Sequence, residues 1–232
     1  MKISALIPAK IKSERIPNKN LKKIGKFTLI ENKIIQLLSS KKINKIFVGT
    51  NSNKIKKLAS KYDVEIVDRE DQFCGTNDKN DNFTANNMIH NFCSKIESDI
   101  VVWAHCTNPL VDGSLYDEAV NLFIQNEKMK KYDSLASVDR IQNHIFNKNL
   151  KPLNFNPYGH RHPLALELDP LFALNGAIFI QRHKAMLKNK YFFGKKPYLF
   201  EIPQNKSIDI NNPEDLDLCK FYFKQNKKWK KK

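Results

Sequence analysis

Lys10, Lys12, Arg15 and Lys19, with the hydroxyl of Ser13 among them, fall within one short stretch, Pro8 to Asn20. It directly follows an apolar run, Ile3–Ile7, that reads as a buried strand. Pro17 stiffens the stretch by fixing one backbone angle. Ammonium groups and backbone N–H donors on a rigid loop behind a first strand suit a triphosphate, which needs dense positive charge and aimed donors. By composition alone, a solvated basic loop is the plainer reading. A second candidate is Ser207-Ile208-Asp209-Ile210-Asn211, just before a helix start. Its carboxylate suits magnesium, which takes hard oxygen ligands and shares them with substrate phosphates; the alternative is that Asp209 only helps to cap the helix. At Asn175-Gly176, the glycine lets backbone pass close to a ligand, and the asparagine can both donate and accept. A turn into a core strand explains that pair equally well. His105 lies in Trp103-Ala104-His105-Cys106-Thr107-Asn108-Pro109-Leu110, at the end of an apolar run, either facing a ligand oxygen or satisfied within the structure. Arg69 closes Val64-Glu65-Ile66-Val67-Asp68. No Ser/His/Asp or Cys/His nucleophile set is evident.

The elements that must position these residues alternate. Strands are expected at Ile3–Ile7, Lys45–Thr50, Val64–Val67 and Ile100–Ala104, and helices at Thr28–Ser39, from Ser52 or Asn53 through Lys61, Asn82–Ser94 and Gly113–Glu127. Helices of this length between strands imply right-handed β-α-β crossovers and a mainly parallel sheet, with ligands at the carboxyl ends of the strands. The candidate residues fall at those ends. Further strands are expected at Ala177–Gln181 and Tyr198–Ile202, and a last helix from Pro213 with Asn212 as its N-cap. Residues 140–171 break the alternation; they are rich in Asn, His and Pro and read as an inserted arm.

The chain of 232 residues fits one α/β domain, 1–232. Its net charge of +16 comes mostly from dispersed lysines, which argues against nucleic acid as the main partner. The exception is the basic tail, 226–232, expected to be disordered. Cys74, Cys93, Cys106 and Cys219 form no CxxC pair and read as reduced thiols. No apolar run spans a bilayer and the first residues lack a cleavable leader, so the expected location is cytoplasmic.

The first loop resembles the signature of the acylneuraminate cytidylyltransferases, a family that includes the synthetases of CMP-activated 3-deoxy sugar acids. The family form is Ala-Arg-x-Gly-Ser-x-x-(Ile/Leu)-Pro-x-Lys-Asn. Ala9, Ser13, Ile16, Pro17, Lys19 and Asn20 agree without a gap, while Lys10 and Lys12 replace the family Arg and Gly. Ser207–Asn211 is similar to the family's Ser-Ile-Asp-Ile-Asp, with Asn211 for the second aspartate. Asn175–Phe179 is similar to Asn-Gly-Ala-Ile-Tyr. Residues 103–110 resemble the family's Leu-Gln-Pro-Thr-Ser-Pro-Leu-Arg segment more loosely, with His105 in place of a sugar-contacting Gln and Val111 in place of Arg. The departures at His105 and Phe179 suggest a sugar other than plain N-acetylneuraminate.

The resemblance implies a three-layer, Rossmann-like nucleotidyltransferase domain with a mixed, mostly parallel sheet and a projecting dimerisation arm. It implies a cytidylyltransferase that activates a nonulosonic or 3-deoxy sugar acid as its CMP derivative, with CTP as donor and pyrophosphate released. Lys10, Ser13 and Lys19 would hold the triphosphate, and Asn20 and Arg69 the nucleoside. His105 and Asn175 would face the sugar. Asp209, with Asn211, would hold Mg2+; Lys19 and Asp209 would carry the chemistry. A homodimer built on the arm is implied as well. The alternatives are a nucleotidyltransferase for another acceptor, or a non-catalytic protein that binds a nucleotide-sugar or nucleic acid.

Overall fold

A computed structural model of the chain describes residues 1–11, 13, 15–74 and 84–225. The expected tail and the expected helix start at Asn82 lie outside them. In chain order the strands are β1 (Ile3–Pro8), β2 (Lys23–Ile24), β3 (Phe27–Thr28), β4 (Lys45–Thr50), β5 (Glu65–Asp68), β6 (Ile100–Trp103), β7 (Ser134–Ile141), β8 (Leu171–Arg182) and β9 (Pro197–Glu201). The helices are α1 (Leu29–Leu38), α2 (Asn53–Ala59), α3 (Ala85–Ser94), α4 (Gly113–Lys128), α5 (His183–Asn189), α6 (Gln204–Ser207) and α7 (Pro213–Gln225).

Seven strands form one sheet in the order β5-β4-β1-β6-β8-β7-β9. β1 pairs in parallel with β4 on one side and β6 on the other, and β8 is antiparallel to both of its neighbours. The chain moves outward from β1 through β4 to β5, then returns to lay β6 on the opposite flank of β1. That reversal opens a crevice beyond Pro8 and Trp103, where sheets of this kind bind ligands.

The period-two alternation of the strands divides the core. Ile3, Ala5 and Ile7 of β1 join Ile30 and Ile34 of α1 and Tyr116 and Phe123 of α4. Leu6 points the other way, towards Phe92, Trp103 and Met186. Local signals fix the helix starts. Thr28 and Glu31 form a reciprocal capping box before α1, and Ser52, Thr84 and Asp112 cap α2, α3 and α4. Asn212 caps α7 as expected, its Oδ1 accepting from Asp215 N at 2.8 Å. The tight turn between β2 and β3 uses Gly25 at φ 60°, where an added Cβ would collide with Phe223.

Several expectations move. α2 stops at Ala59 instead of Lys61, with Ser60 as C-cap. α5 and α6 were not expected at all. No strand is expected from the sequence at β7, and β8 is longer than the sequence suggests; the two pair as far as Ile141↔Leu171, so regular structure enters both ends of segment 140–171. Between them, residues 142–170 carry a small aromatic cluster: Phe155 meets Phe146 at 5.1 Å and His144 at 4.9 Å. Other apolar side chains there face outward; Leu150, Tyr158 and Leu166 are 82%, 93% and 88% exposed. Among the described residues no helix is long and apolar enough to cross a membrane.

Candidate active site

The chain leaves β1 at Pro8, and Ala9 N donates to Gly49 O at 2.9 Å, which directs the following loop across the ends of β1 and β6. Asn18, in the left-handed region at φ 53°, turns the loop into a short 3-10 helix at Lys19–Leu21. Asn20 is buried, and its Nδ2 donates to Lys10 O at 2.8 Å, bracing the loop internally. Lys10, Ser13, Arg15, Lys19 and Asn20 line one wall of an open cleft, and residues 105–107 line the other.

The loop is tied to the segment that carries Asp209. Lys19 Nζ donates to Ile210 O at 2.6 Å, and Arg15 Nη2 donates to Asn211 Oδ1 at 2.7 Å. Asn211 Nδ2 in turn donates to Asp209 Oδ2 at 2.8 Å. Asp215, from the first turn of α7, accepts from Asn211 N at 2.7 Å and from Asn212 N at 3.0 Å. The carboxylate therefore sits in a fixed frame, with two cationic side chains holding its neighbours. Burial lowers the pKa of Lys19, and the Asp209 charge opposes that shift.

The protonation of His105 follows from its partners. Trp103 Nε1–H can only donate, so His105 Nε2 accepts from it at 3.0 Å. Gly176 O can only accept, so Nδ1 carries the proton it donates there, at 2.8 Å. Burial lowers the pKa of the ring further, against the Gly176 bond that favours its charge. His105 is thus a neutral, satisfied histidine whose ring lines the cleft, with neither nitrogen free for a ligand.

Asn175 is similarly occupied. Its Oδ1 accepts from Ser137 Oγ at 2.6 Å and Ala177 N at 3.2 Å, and its Nδ2 donates to Asp139 Oδ1 at 3.1 Å. It braces β8 against β7. Arg69 is buried, with Nη1 3.5 Å from Gly49 O and Nη2 donating to Phe73 O. Burial lowers its pKa. The fold thus brings Lys10, Ser13, Lys19, Asn20 and His105 to one cleft and hangs Asp209 and Asn211 on its rim. It commits Asn175 and Arg69 to partners of their own. Cys106 is buried beside the cleft, its thiol pushed up to about 12 by burial.

Arg15 belongs with the site and was not assigned a role from the sequence; its place in the charged loop was the available signal. A second group gave a weaker one. Asn32, Lys33 and Gln36 are buried polar residues of α1, and all three hydrogen-bond carbonyls of the loop after His105. In the sequence they pass as the polar face of an amphipathic helix.

A parallel-rich α/β sheet that presents a lysine-bearing loop and a framed carboxylate at its topological switch point has the layout of a nucleotide-handling transferase. The chain belongs to the cytidylyltransferase family, whose profile matches residues 4–227, and so to the CTP-dependent nucleotidyltransferases. It is 25% identical over 232 residues to the pseudaminic acid cytidylyltransferase of Campylobacter jejuni, covering 97% of this chain and 98% of that one. It is 27% identical over 240 residues to the CMP-N,N'-diacetyllegionaminic acid synthase of Legionella pneumophila, again covering 97% and 98%. Against the N-acylneuraminate cytidylyltransferase of Escherichia coli it is 26% identical but spans only 51% of that protein. Its fold matches a CMP:2-keto-3-deoxy-manno-octonic acid synthetase solved with CTP, with a TM-score of 0.66 at 14% identity, covering 97% of this chain and 99% of that one.

Proposed function

We propose that this cytidylyltransferase activates a nonulosonic or related 3-deoxy sugar acid as its CMP derivative. The observation that carries the proposal is the junction of loop and carboxylate. Lys19 and Arg15 bind the backbone and side chain that flank Asp209, so cationic groups for a triphosphate and one hard oxygen donor meet at the strand ends. Relatives matched over nearly their whole length are named for pseudaminic and legionaminic acid, which supports an acceptor of that class.

In this reaction the anomeric hydroxyl of the sugar acid attacks the α-phosphorus of CTP. The new O–P bond forms as the bond to the pyrophosphate oxygen breaks, and the hydroxyl proton is lost to solvent. Lys10, Ser13 and Lys19 hold the triphosphate, and the half-buried position of Lys19 strengthens its attraction for phosphate charge. Asn20 supports the nucleoside end of the loop. Arg69, beside the loop start through their shared acceptor Gly49 O, supports the same end.

The residues fit a divalent ion of the magnesium kind. Among the described residues no group of three or more His, Cys, Asp or Glu side chains could hold a metal alone, so phosphate oxygens must complete the shell. Asp209 has one oxygen taken by Asn211 and one with no hydrogen bond among the described residues. Asn211 contributes little directly, since its amide oxygen is held by Arg15. When bound, magnesium supplies charge that stabilises the departing pyrophosphate.

The working form is a cytoplasmic homodimer, in which the apolar side chains of residues 142–170 cover a second subunit near its sugar pocket. Pyrophosphate release with CTP, magnesium and a panel of sugar acids tests the function. Turnover with at least one nonulosonic acid, and calorimetric preference for CTP over UTP, ATP and GTP, is expected. Release with none of them, or equal affinity for all four nucleotides, would refute it.

A further inference from the structure

Lys33 stands in the middle of α1 and has no exposed surface. A buried ammonium normally sits on a carboxylate. Here Nζ donates to Asn108 O at 2.9 Å and contacts Tyr116 Oη at 2.8 Å, with the Tyr116 ring centroid 5.1 Å away. Neither partner is charged. A position facing a core would be held more stably by leucine or methionine, so the lysine needs an explanation that core burial does not supply.

What Lys33 holds is the residue that joins the site together. The side chain of Asn108 is fully buried, and its Nδ2 donates to Asn175 O at 3.0 Å and Ser207 O at 3.3 Å, with Ile208 O at 3.5 Å. The neighbouring carbonyl, Thr107 O, accepts from Ile210 N at 2.8 Å. Loop 107–108 therefore docks on both sides of Asp209. Asn32 and Gln36 secure the next carbonyl, Pro109 O, at 2.9 Å and 2.6 Å. A stripe of buried polar side chains on α1 thus fixes consecutive carbonyls of the loop, and the loop fixes the segment 207–210.

We propose that Lys33 is a positioning residue for Asp209, acting through Asn108, and so sets the geometry of the metal and phosphate end of the cleft. The inference rests on the proposed function for its catalytic consequence, but not for its structural one. The groups that face Lys33 are Tyr116 of α4, Asp112 at the cap of α4, and Cys106 and His105 of the loop. Asp112 is itself paired with Lys206 at 2.5 Å. Burial brings Lys33 down to about 7, so both protonation states are populated near neutrality. An amine retains N–H groups after losing one proton, so the bond to Asn108 O persists in both states.

The test is Lys33→Met in the full chain, which keeps the bulk and removes the donor. Hydrogen exchange without substrate should rise locally in residues 105–110 and 207–211, with β1 and β4 unchanged. With CTP, magnesium and a turned-over sugar acid, kcat should fall about tenfold or more while KM for CTP moves little, because a misplacement of this kind acts on the transition state. The magnesium concentration for half activation should rise. Unchanged exchange at 207–211, exchange that rises everywhere alike, or an unchanged kcat would each overturn the proposal. If Lys33→Met fails to fold, Tyr116→Phe, which removes one partner of the amine, takes its place with the same criteria. A wild type that turns over no sugar acid overturns the proposed function, and the exchange measurement still decides the role of Lys33.

Discussion

The support beneath the cleft and the segment between β7 and β8 treat side-chain chemistry in opposite ways. Under the cleft, polar groups are buried and their nitrogens paired: Asn32, Lys33, Gln36 and Asn108 lie out of water and donate to backbone carbonyls, while Gln36 Oε1 and Asn108 Oδ1 have no partner among the described residues. In residues 142–170, apolar groups are exposed: Leu150, Tyr158, Leu164 and Leu166 face solvent, around a modest internal cluster of Phe146, Phe155, His144 and His162. A buried hydrogen-bonded group of this sort gives one arrangement and penalises others, since each lost partner leaves a desolvated orphan. An exposed apolar group specifies nothing until something covers it. The first region fixes a geometry within the chain; the second leaves apolar surface uncovered.

The sharpest way to break this comparison is at the carboxylate the support serves. Asp209→Ala should reduce kcat by about a thousandfold or more, because a carboxylate that organises a divalent ion contributes several kcal/mol in the transition state. The thermal transition should barely move, since the carboxylate's hydrogen bond is to the Asn211 side chain at the rim. Normal turnover in a defined magnesium assay would show that the frame around Asp209 serves another purpose.

Lys33 gives the next largest effect, read as stability against pH. Its value falls from 10.5 to about 7 on folding, chiefly through burial. Between those values the unfolded chain binds a proton that the folded chain does not, so this group makes stability rise with pH across that window. Below about 7 both states are protonated and the full penalty of the buried charge remains. Tyr116, Cys93 and Cys106, whose values are raised by burial, pull the other way at high pH. The difference between wild type and Lys33→Met isolates the lysine. The variant should gain relative stability by up to a few kcal/mol at pH 6, less whatever the orphaned Asn108 O and Tyr116 Oη take back, and that advantage should shrink towards pH 10. A difference that is flat with pH would mean that Lys33 titrates normally and is not sealed from water.

Much of this contrast was legible in the sequence, but not evenly. The order of the main-sheet strands and helices up to α4, though not the short pair β2 and β3, the caps at Ser52 and Asn212 and the charged loop followed from periodicity and capping chemistry, which are local. The cleft residues Lys10, Ser13, Lys19 and Asn20 were legible because they share one loop behind one strand and that loop resembles the family signature. The fate of His105 and Asn175 did not. Whether a polar side chain faces a ligand or a neighbour depends on partners such as Gly176 O and Ser137 Oγ, which are distant in the chain. Lys33 was invisible for the same reason: at a helical position beside Glu31 and Asn32, a lysine reads as solvent-facing until α4 and the loop 106–110 close over it. β8 was underestimated because Asn175-Gly176 interrupts its apolar residues and reads as a turn, which cuts Leu171-Phe172-Ala173-Leu174 off from the strand that resumes at Ala177.

The exposed region makes a prediction of intermediate size. Replacing residues 145–167 with a short Gly/Ser linker should convert a dimer to monomers in sedimentation, and raise KM for the sugar acid more than that for CTP. β7 and β8 pair on their own as far as Ile141↔Leu171, so the sheet should survive the deletion. An intact protein that sediments as a monomer at micromolar concentration would leave those apolar side chains needing a different partner.

The smallest expected effect lies where support and cleft meet. Asn211 Oδ1 accepts from Arg15 and its Nδ2 donates to Asp209, so the amide serves as a spacer between a cation and a carboxylate. Asn211→Asp would turn the first contact into an ion pair and the second into two facing carboxylates without a donor between them. Without metal the change should be slightly destabilising, because like charges at that distance repel and an exposed pair with Arg15 recovers about 1 kcal/mol or less. With magnesium the added oxygen becomes useful, and activity should stay level or rise a few fold while half activation needs less metal. Titration of Mn2+ into the CTP complex, followed by its paramagnetic signal, measures that affinity apart from turnover. A loss of both affinity and activity would mean that Arg15 needs a neutral partner at this position, and that the guanidinium rather than a second carboxylate organises this side of the cleft.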